Sequence, residues 1–177
     1  MTHWSAGVCD GVYAAGVRDV VYVPDNPLSH VLARFERSFR DVSLILAMRE
    51  EEAFGIAAGL YLGGKRPTVM LQSSGLGNSI NALATLVVPY RIPMLIVVSM
   101  RGDEGEWNSA QVPMGRAVPG ILAAIGVVSD TIDACQTVSD GVRHQQIVSD
   151  TVRGTALSSF ETKIPRACLL PKRLTAP

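Results

Sequence analysis

The chain has 177 residues, with 16 Lys and Arg balanced by 16 Asp and Glu, and 47% of its residues are hydrophobic. A chain of this length buries about 70% of the surface that it exposes when unfolded, which predicts one domain over residues 1–177. The net charge of zero argues against nucleic acid or an anionic membrane as a partner. The N-terminus lacks the features of a secretory signal, so we expect a cytoplasmic protein.

The cysteines and the longest uncharged stretch exclude further classes. Cys9, Cys135 and Cys168 are odd in number and far apart, without the spacing of a zinc site, and are predicted to be buried thiols of a reducing compartment. No pair of His, Cys or carboxylate residues has metal-ligand spacing, so no metal site is expected in this chain. The uncharged stretch over 67–90 is too polar to span a membrane.

Helical segments alternate with short apolar runs. In the first part of the chain we predict a helix over 5–16, a strand over 19–24, a helix ending near 37 and capped by Asn26 or Ser29, and a strand over 42–47. The middle part is predicted to form a helix over 50–62, a strand over 68–71, a loop over 72–78, a helix over 79–88 and a strand over 92–98. An ordered loop over 101–112, a helix over 115–125, a strand over 127–129, one long helix over 133–161 and a strand over 166–171 complete the prediction. This alternation predicts an α/β fold, a doubly wound and mainly parallel sheet of about six strands with helices on both faces.

Four predicted loops fall at the carboxyl ends of strands, over 24–27, 49–52, 72–78 and 99–112. Ligands of open parallel sheets bind at this edge. The polar residues of interest are concentrated in these loops, so we expect the functional site there.

The helix over 50–62 opens with three successive glutamates, of which Glu50 is the first. Helical spacing places Glu50 above Ala53, Phe54 and Ala57, an apolar face that should be buried. The third glutamate lies above a stripe of small residues instead. Acidic residues in a first turn also offset the helix dipole, by about 0.3–1 kcal/mol each, so a purely stabilising role stays open.

The segment over 72–78 carries Gly75 and Gly77 between a strand and a helix. A dinucleotide fingerprint needs a third glycine where Ile80 stands, and the lysine of a phosphate-binding Walker loop is absent. A tight turn in which glycine supplies a positive φ is the alternative. The polar side chains that can still bond a ligand here are Gln72, Ser73, Ser74 and Asn78.

Nucleophilic catalysis has little support in the sequence. Ser73 and Ser74 do not lie in a G-x-S-x-G elbow, and the histidines fall outside the four loops. The chain offers one candidate acid–base group and no electrophile, so difficult chemistry has to come from a cofactor.

The stretches over 49–59 and 72–83 resemble the pyrimidine-binding domain of thiamine-diphosphate enzymes. Within this family, the stretches over 99–105 and 110–117 are similar to the sulfopyruvate and phosphonopyruvate decarboxylases, and length and motifs fit the separate alpha subunits of the former best. The resemblance runs from about residue 7 to 170. It implies the thiamine-diphosphate-binding fold, with the whole chain forming one pyrimidine domain.

The resemblance also implies roles for single residues. The family's essential glutamate stands nine residues before the glycine of an Ala-x-Gly step, and the step ending at Gly59 selects Glu50. In the family this glutamate is catalytic and hydrogen-bonds N1′ of the cofactor's aminopyrimidine ring. The candidate cofactor-binding residues are Glu50, Pro24, Gln72, Ser73, Ser74, Gly75 and Asn78.

The diphosphate and Mg²⁺ are bound in the family by Gly-Asp-Gly followed by Asn-Asn. This chain has Gly102-Asp103-Glu104 and lacks Asn-Asn. The resemblance therefore implies a hetero-oligomer in which a beta subunit with the diphosphate-binding domain holds Mg²⁺ and half of the cofactor.

The implied substrate is a 2-oxo acid with a second anionic group, for which cations are required. Arg101 is the best-placed candidate, followed by Arg116 and Arg49, although each can equally be a solvated loop charge. The plausible polar neighbours of the substrate are Asp25, Asn26, Gln72 and Gln111.

Three other functions remain open at this point. The chain can act on phosphonopyruvate or in carboligation, it can be a non-catalytic binding or regulatory subunit, or it can be a stand-alone nucleotide or flavin binder. The missing phosphate-cradle residues argue against the last of these.

Overall fold

The computed structural model describes residues 3–132 and 141–175. The strands are β1 (Asp19–Tyr22), β2 (Ser43–Leu46), β3 (Pro67–Gln72), β4 (Leu95–Ser99), β5 (Val128–Thr131) and β6 (Arg166–Leu170). The helices are α1 (His3–Ala14), α2 (Leu28–Ser38), α3 (Glu50–Leu62), α4 (Ser73–Asn78), α5 (Ile80–Ala82), α6 (Val112–Ala124), α7 (Gly141–Thr162) and α8 (Lys172–Thr175), with a π-helical turn over Leu83–Val87 and a 3₁₀ turn over Ser109–Gln111.

All six strands pair in parallel, in the order β2-β1-β3-β4-β6-β5. The predicted doubly wound sheet is confirmed. The four central strands are almost wholly buried because helices cover both faces, whereas the edge strands β2 and β5 are partly exposed. The chain places β2 on one side of β1 and β3 on the other. The direction of winding therefore reverses between β1 and β3, which is where open parallel sheets form a binding crevice.

Alternate residues of the central strands divide the core into two layers. One layer joins Val69 and Ile96 to α3, α4 and α6, and Phe54 is the largest side chain that α3 buries there. The other joins Met70 and Val97 to α1, α2 and α7. The edge of the sheet at the carboxyl ends of the strands, where the site is expected, is here called the functional edge. It is flanked by α3 and α4 on one face of the sheet and by α2 on the other.

Helices α1 and α7 approach so closely that only glycine fits between them. A Cβ atom on Gly7 would lie 2.6 Å from the carbonyl oxygen of Gln145, and one on Gly11 would lie 2.5 Å from that of Ser149. The tight pair anchors the N-terminal helix on the sheet.

Several predicted boundaries are wrong. The segment over 72–78 is not a loop, because helix α4 starts directly at Ser73, and the helix predicted over 79–88 is interrupted at Ser79 and ends in a π-helical turn. Helix α6 starts three residues before its predicted beginning at 115. Neither Asn26 nor Ser29 caps α2 through its side chain, since Pro27 occupies the N-cap. Of the long helix predicted over 133–161, residues 133–140 lie outside the described residues.

Two predictions about the whole chain can be compared with the structure. Cys9 and Cys168 are buried free thiols, as predicted, while Cys135 lies outside the described residues. None of the helices in the described part of the chain combines the length and the hydrophobicity that a bilayer crossing requires.

Candidate active site

The three glutamates at the start of α3 have three different surroundings. Glu52 accepts a hydrogen bond from the backbone N–H of Met48 at 2.8 Å, and Glu51 forms an ion pair with Arg49 at 2.7 Å. Both contacts lie at the start of the helix, while the second oxygen of Glu51, Oε2, is buried without a hydrogen-bond partner among the described residues. Glu50 is half-buried and faces α4, where Asn78 Nδ2 lies 3.4 Å from its Oε2. Only Glu50 is turned toward another element of the predicted site.

The glycines of α4 are required by packing. A Cβ atom on Gly75 would lie under 3.0 Å from three side-chain atoms of Glu50, and one on Gly77 would lie 2.9 Å from Sδ of Met114. Neither glycine has a positive φ, so the interpretation of a tight turn is wrong. The absent side chain of Gly75 leaves room for the Glu50 carboxylate against the backbone of α4.

A second polar group crosses the point where the winding reverses. Gln72 Nε2 donates to Asp25 Oδ1 at 2.8 Å, and Ser99 Oγ donates to Asp25 Oδ2 at 2.5 Å. Ser74 Oγ donates to Gln72 Oε1 at 2.5 Å. These side chains lie at or just after the carboxyl ends of β1, β3 and β4, which are adjacent, so the fold unites residues up to 74 positions apart.

Ser73 connects the site to the loop after β4. Its hydroxyl is buried and accepts a hydrogen bond from the backbone N–H of Arg101 at 3.2 Å. The Arg101 guanidinium turns toward Glu106 and donates two hydrogen bonds of 2.7 and 2.8 Å to its carboxylate. The side chain of Glu106 is only 1% exposed, and Lys172 Nζ approaches it at 3.3 Å.

The Glu106 carboxylate accepts hydrogen bonds from several residues of the 101–112 loop. The hydrogen bonds from Arg101 hold the pKa of its carboxyl well below the usual range against the opposite effect of burial, and the backbone N–H groups of Asn108 and Gly102 lower the pKa further. Gly102 has a φ of +81° and lies against Val112, where a side chain would have no room. The loop is therefore a closed, internally bonded structure, as the prediction of an ordered loop requires.

The structure brings six of the predicted site residues into two clusters. The first cluster, here called the Glu50 cluster, contains Glu50, Gly75 and Asn78. The second, here called the Asp25 cluster, contains Asp25, Gln72, Ser74 and Ser99. Because Ser74 and Gly75 are neighbours in α4, the two clusters meet at the start of that helix.

Other predicted residues lie at the rim. Pro24 and Asn26 are exposed, as is Arg116 in the first half of α6, and Arg49 is 74% exposed beside Glu51. Gln111 is partly buried, and its Oε1 has no hydrogen-bond partner among residues 3–132 and 141–175.

Sequence reasoning missed Ser99 and Glu106. Ser99 follows directly on the most apolar predicted strand, which was a signal that its hydroxyl lies at the functional edge. Glu106 was not singled out among the charged residues of the 101–112 loop, and its burial has no counterpart in the local sequence.

A cavity of about 460 Å³ opens at the ends of β5 and β6. It is lined by Asp103, Glu104, Gly105, Thr131, Pro171 and Arg173, and includes none of the predicted site residues. Among the described residues, no group of three or more His, Cys, Asp or Glu side chains could hold a metal ion.

Comparisons with known proteins agree with the resemblance noted in the sequence. Residues 4–114 match the family described as "Thiamine pyrophosphate enzyme, N-terminal TPP binding domain". The chain is 43% identical over 123 residues to "Sulfopyruvate decarboxylase subunit alpha" of Methanothermobacter thermautotrophicus, covering 70% of this chain and 74% of that protein.

Two longer proteins are also similar. The chain is 39% identical over 159 residues to "Sulfopyruvate decarboxylase" of Methanosarcina acetivorans, covering 90% of this chain and 38% of that protein. It is 33% identical over 138 residues to "Phosphonopyruvate decarboxylase" of Streptomyces hygroscopicus, covering 75% of this chain and 34% of that protein. The predicted family is confirmed: the chain belongs to the thiamine pyrophosphate enzymes and carries their N-terminal TPP-binding domain.

Proposed function

We propose that this chain is the pyrimidine-domain alpha subunit of a two-chain, thiamine-diphosphate-dependent 2-oxo acid decarboxylase. The preferred reaction converts sulfopyruvate to sulfoacetaldehyde and CO₂. The observation that carries the proposal is the half-buried Glu50 carboxylate, which is set against Gly75 at the functional edge of the sheet. The names of the alpha-subunit relatives support the substrate.

The residues of the Glu50 cluster fit the pyrimidine half of the cofactor. A carboxylate can share a proton with a ring nitrogen, and the absent Cβ at Gly75 keeps space beside that carboxylate. Asn78 supplies an amide for orienting it, while Ser73 and Ser74 add hydroxyl groups at the start of α4. When bound, the cofactor supplies the electron sink that the protein's own side chains lack.

Glu50 then has one defined task, to hold and return a proton at its carboxylate oxygen. Gly75 and Asn78 keep the carboxylate in place for this transfer, and Glu51 and Glu52 are occupied by the helix start. Asp25 lies on the other side of the start of α4, and we place it beside the substrate. Exclusion of water from this edge requires a second subunit, since Glu50 and Asp25 are only partly buried and Asn78 is exposed in the chain alone.

The partner is proposed to be a beta subunit that holds the diphosphate and Mg²⁺. The stretch Gly102-Asp103-Glu104 departs from the family's Gly-Asp-Gly, and Asp103 accepts a hydrogen bond from the backbone N–H of Lys172 at 3.1 Å. Asp103 therefore connects the 101–112 loop to the C-terminal segment. The longer relative from Methanosarcina is covered over only 38% of its length, which leaves room in it for a counterpart of the partner.

The sulfonate of the substrate requires a cation. Arg101 remains our first candidate, because two of the five N–H donors of a guanidinium bond Glu106 and the others lie outside these bonds. Arg116 and Arg49 at the rim are the next candidates. Asn26 and Gln111 are proposed as polar neighbours, the latter through its buried and unpartnered oxygen.

Phosphonopyruvate is the second candidate substrate. It shares the 2-oxo acid and the additional anion, and the relative from Streptomyces supports it. A carboligase would use the same residues and differ only in the acceptor of the new bond.

The test is a cofactor titration of the chain with and without the protein encoded beside it. We expect the pair, with thiamine diphosphate and Mg²⁺, to release CO₂ from sulfopyruvate faster than from phosphonopyruvate, and the chain alone to be inactive. A pair that binds no thiamine diphosphate, or a chain that turns over alone, would contradict the proposal. Recovery of a carbon–carbon coupling product in place of the aldehyde would indicate carboligation.

A further inference from the structure

The Asp25 carboxylate is held by two neutral donors from adjacent strands. Ser99 donates to Oδ2 and Gln72 donates to Oδ1, so each oxygen is fixed by one hydrogen bond. An ionised carboxylate only accepts hydrogen bonds, and each of its oxygens has a second lone pair. The carboxylate is therefore fixed in orientation and can still accept a bond from a ligand.

This arrangement follows from the register of the sheet. Gln72 and Ser99 are direct partners in the pairing of β3 with β4. Met70 and Val97, two residues earlier on each strand, both face the core layer under α1, α2 and α7. Side chains two residues apart share a face, so the Gln72 and Ser99 side chains emerge side by side on the face where Asp25 enters from β1.

Ser99 is fully buried, yet its hydroxyl bonds a half-buried carboxylate at the functional edge. Ser159 shows the ordinary alternative. It is equally buried, but its hydroxyl lies within donating distance of two backbone carbonyl oxygens, that of Ile164 at 2.7 Å and that of Met94 at 3.0 Å, and so only stabilises the fold. The two serines form a matched pair, one directed at the site and one at the backbone.

We propose that Ser99 is a positioning residue that acts through Asp25, fixing the carboxylate for contact with the bound substrate. The inference rests on the proposed function, since it assigns Asp25 to the substrate side of the site. Gln72 fixes the other oxygen and is itself held by Ser74. Removal of the Ser99 hydroxyl would leave Asp25 with one fixed oxygen and free to rotate.

A double-mutant cycle tests this proposal in the assembled pair. Ser99→Ala should lower kcat/KM for sulfopyruvate about tenfold, the expected loss of one hydrogen bond to a charged group. In the Asp25→Asn background the same change should have less than about a twofold effect, because the charged carboxylate through which Ser99 acts is replaced by a neutral amide. Ser159→Ala, the control, should lower the urea midpoint of unfolding but leave kcat/KM unchanged.

An equal loss in both backgrounds, or a Ser99→Ala enzyme with unchanged kcat/KM, would overturn the proposal. If Asp25→Asn abolishes turnover, kcat/KM is compared between Ser99→Ala and Ser159→Ala instead. A loss of about tenfold in Ser99→Ala alone supports the proposal, and equal kcat/KM values in the two variants overturn it. A second cycle compares the urea midpoints of unfolding of four chains without the partner: wild type, Ser99→Ala, Asp25→Asn and the double variant. Coupling there without any turnover of the wild-type pair would refute the proposed function while leaving the Ser99–Asp25 bond intact, and no coupling would refute the bond itself.

Discussion

Gly75 and Glu50 lie so close together that no other residue than glycine fits at position 75 without moving the glutamate. A Cβ atom there would approach Cγ, Cδ and Oε1 of Glu50 to under 3.0 Å. Helix α3 precedes β3 in the chain and helix α4 follows it. The contact joins the start of α3 to the start of α4. The geometry of the carboxylate that we propose as catalytic thus depends on a residue with no side chain.

Gly75→Ala should therefore impair the pair without unfolding the chain. The added methyl group displaces the Glu50 carboxylate, and we expect kcat/KM to fall by about 100-fold, within the range attributed to misplaced catalytic groups. Gly120→Ala is the matched control, because a Cβ atom at this α6 position meets nothing within 4 Å. The control should be about 0.5–1 kcal/mol more stable in urea and equally active. A fully active Gly75→Ala enzyme would contradict the close contact.

Glu106→Gln should destabilise the chain at neutral pH. It leaves Arg101 and Lys172 around a buried neutral group, and loss of one partner of a buried ion pair costs about 3 kcal/mol. The pKa of Glu106 lies below its usual range in the folded chain, so the unfolded chain binds more protons as the pH falls. The stabilisation by Glu106 is therefore complete above pH about 4.3, the ordinary value for glutamate, and is lost at lower pH.

Urea unfolding at several pH values measures this difference. The gap in unfolding free energy between wild type and Glu106→Gln should be largest near pH 7 and should shrink below pH 4. Asp41→Asn breaks an ion pair with Arg18 that is open to solvent, and should have a smaller effect at pH 7. A gap that grows on acidification would show that the sign of the shift is wrong.

Two of the cysteines should resist alkylation in the native chain. Burial raises the pKa of the Cys168 thiol to about 12 and also raises that of Cys9, so neither forms the reactive thiolate at pH 8. Mass spectrometry after iodoacetamide treatment should find both unmodified in the folded protein and modified after denaturation in urea. Modification of either thiol at the same rate in both states would show that it is not buried.

The succession of strands and helices was predictable from sequence because apolar runs and helical spacing are local properties of the chain. Runs such as the one ending at Val98 are apolar throughout, as required of strands covered on both faces, and helical spacing placed Glu50 above a face that the structure buries. The same spacing and the Ala-x-Gly step at Gly59 selected Glu50 over its two neighbours. In the structure the contacts of Glu50 differ from those of Glu51 and Glu52, and its role stays a prediction.

The missed features depend on contacts between distant segments. Hydrophobic pattern does not encode strand order, so the bond between Asp25 and Ser99 was not predictable before β1 and β4 were placed. Helix α4 was mistaken for a loop because its two glycines have low helix propensity, which the packing of Gly75 and Gly77 overrides. The close approach of α1 to α7 at Gly11 is likewise a property of the pair of helices.

The most direct test of the account is Glu50→Gln in the assembled pair, with Glu51→Gln as the matched control. Glutamine keeps the shape of Glu50 but cannot exchange a proton, so turnover should fall at least about 100-fold while assembly with the partner is unchanged. Glu51→Gln weakens the ion pair with Arg49, and the buried Oε2 of Glu51 has no hydrogen-bond partner among the described residues to lose, so this variant should retain nearly full turnover. If Glu50→Gln decarboxylates sulfopyruvate as fast as Glu51→Gln does, the central role of Glu50 is refuted.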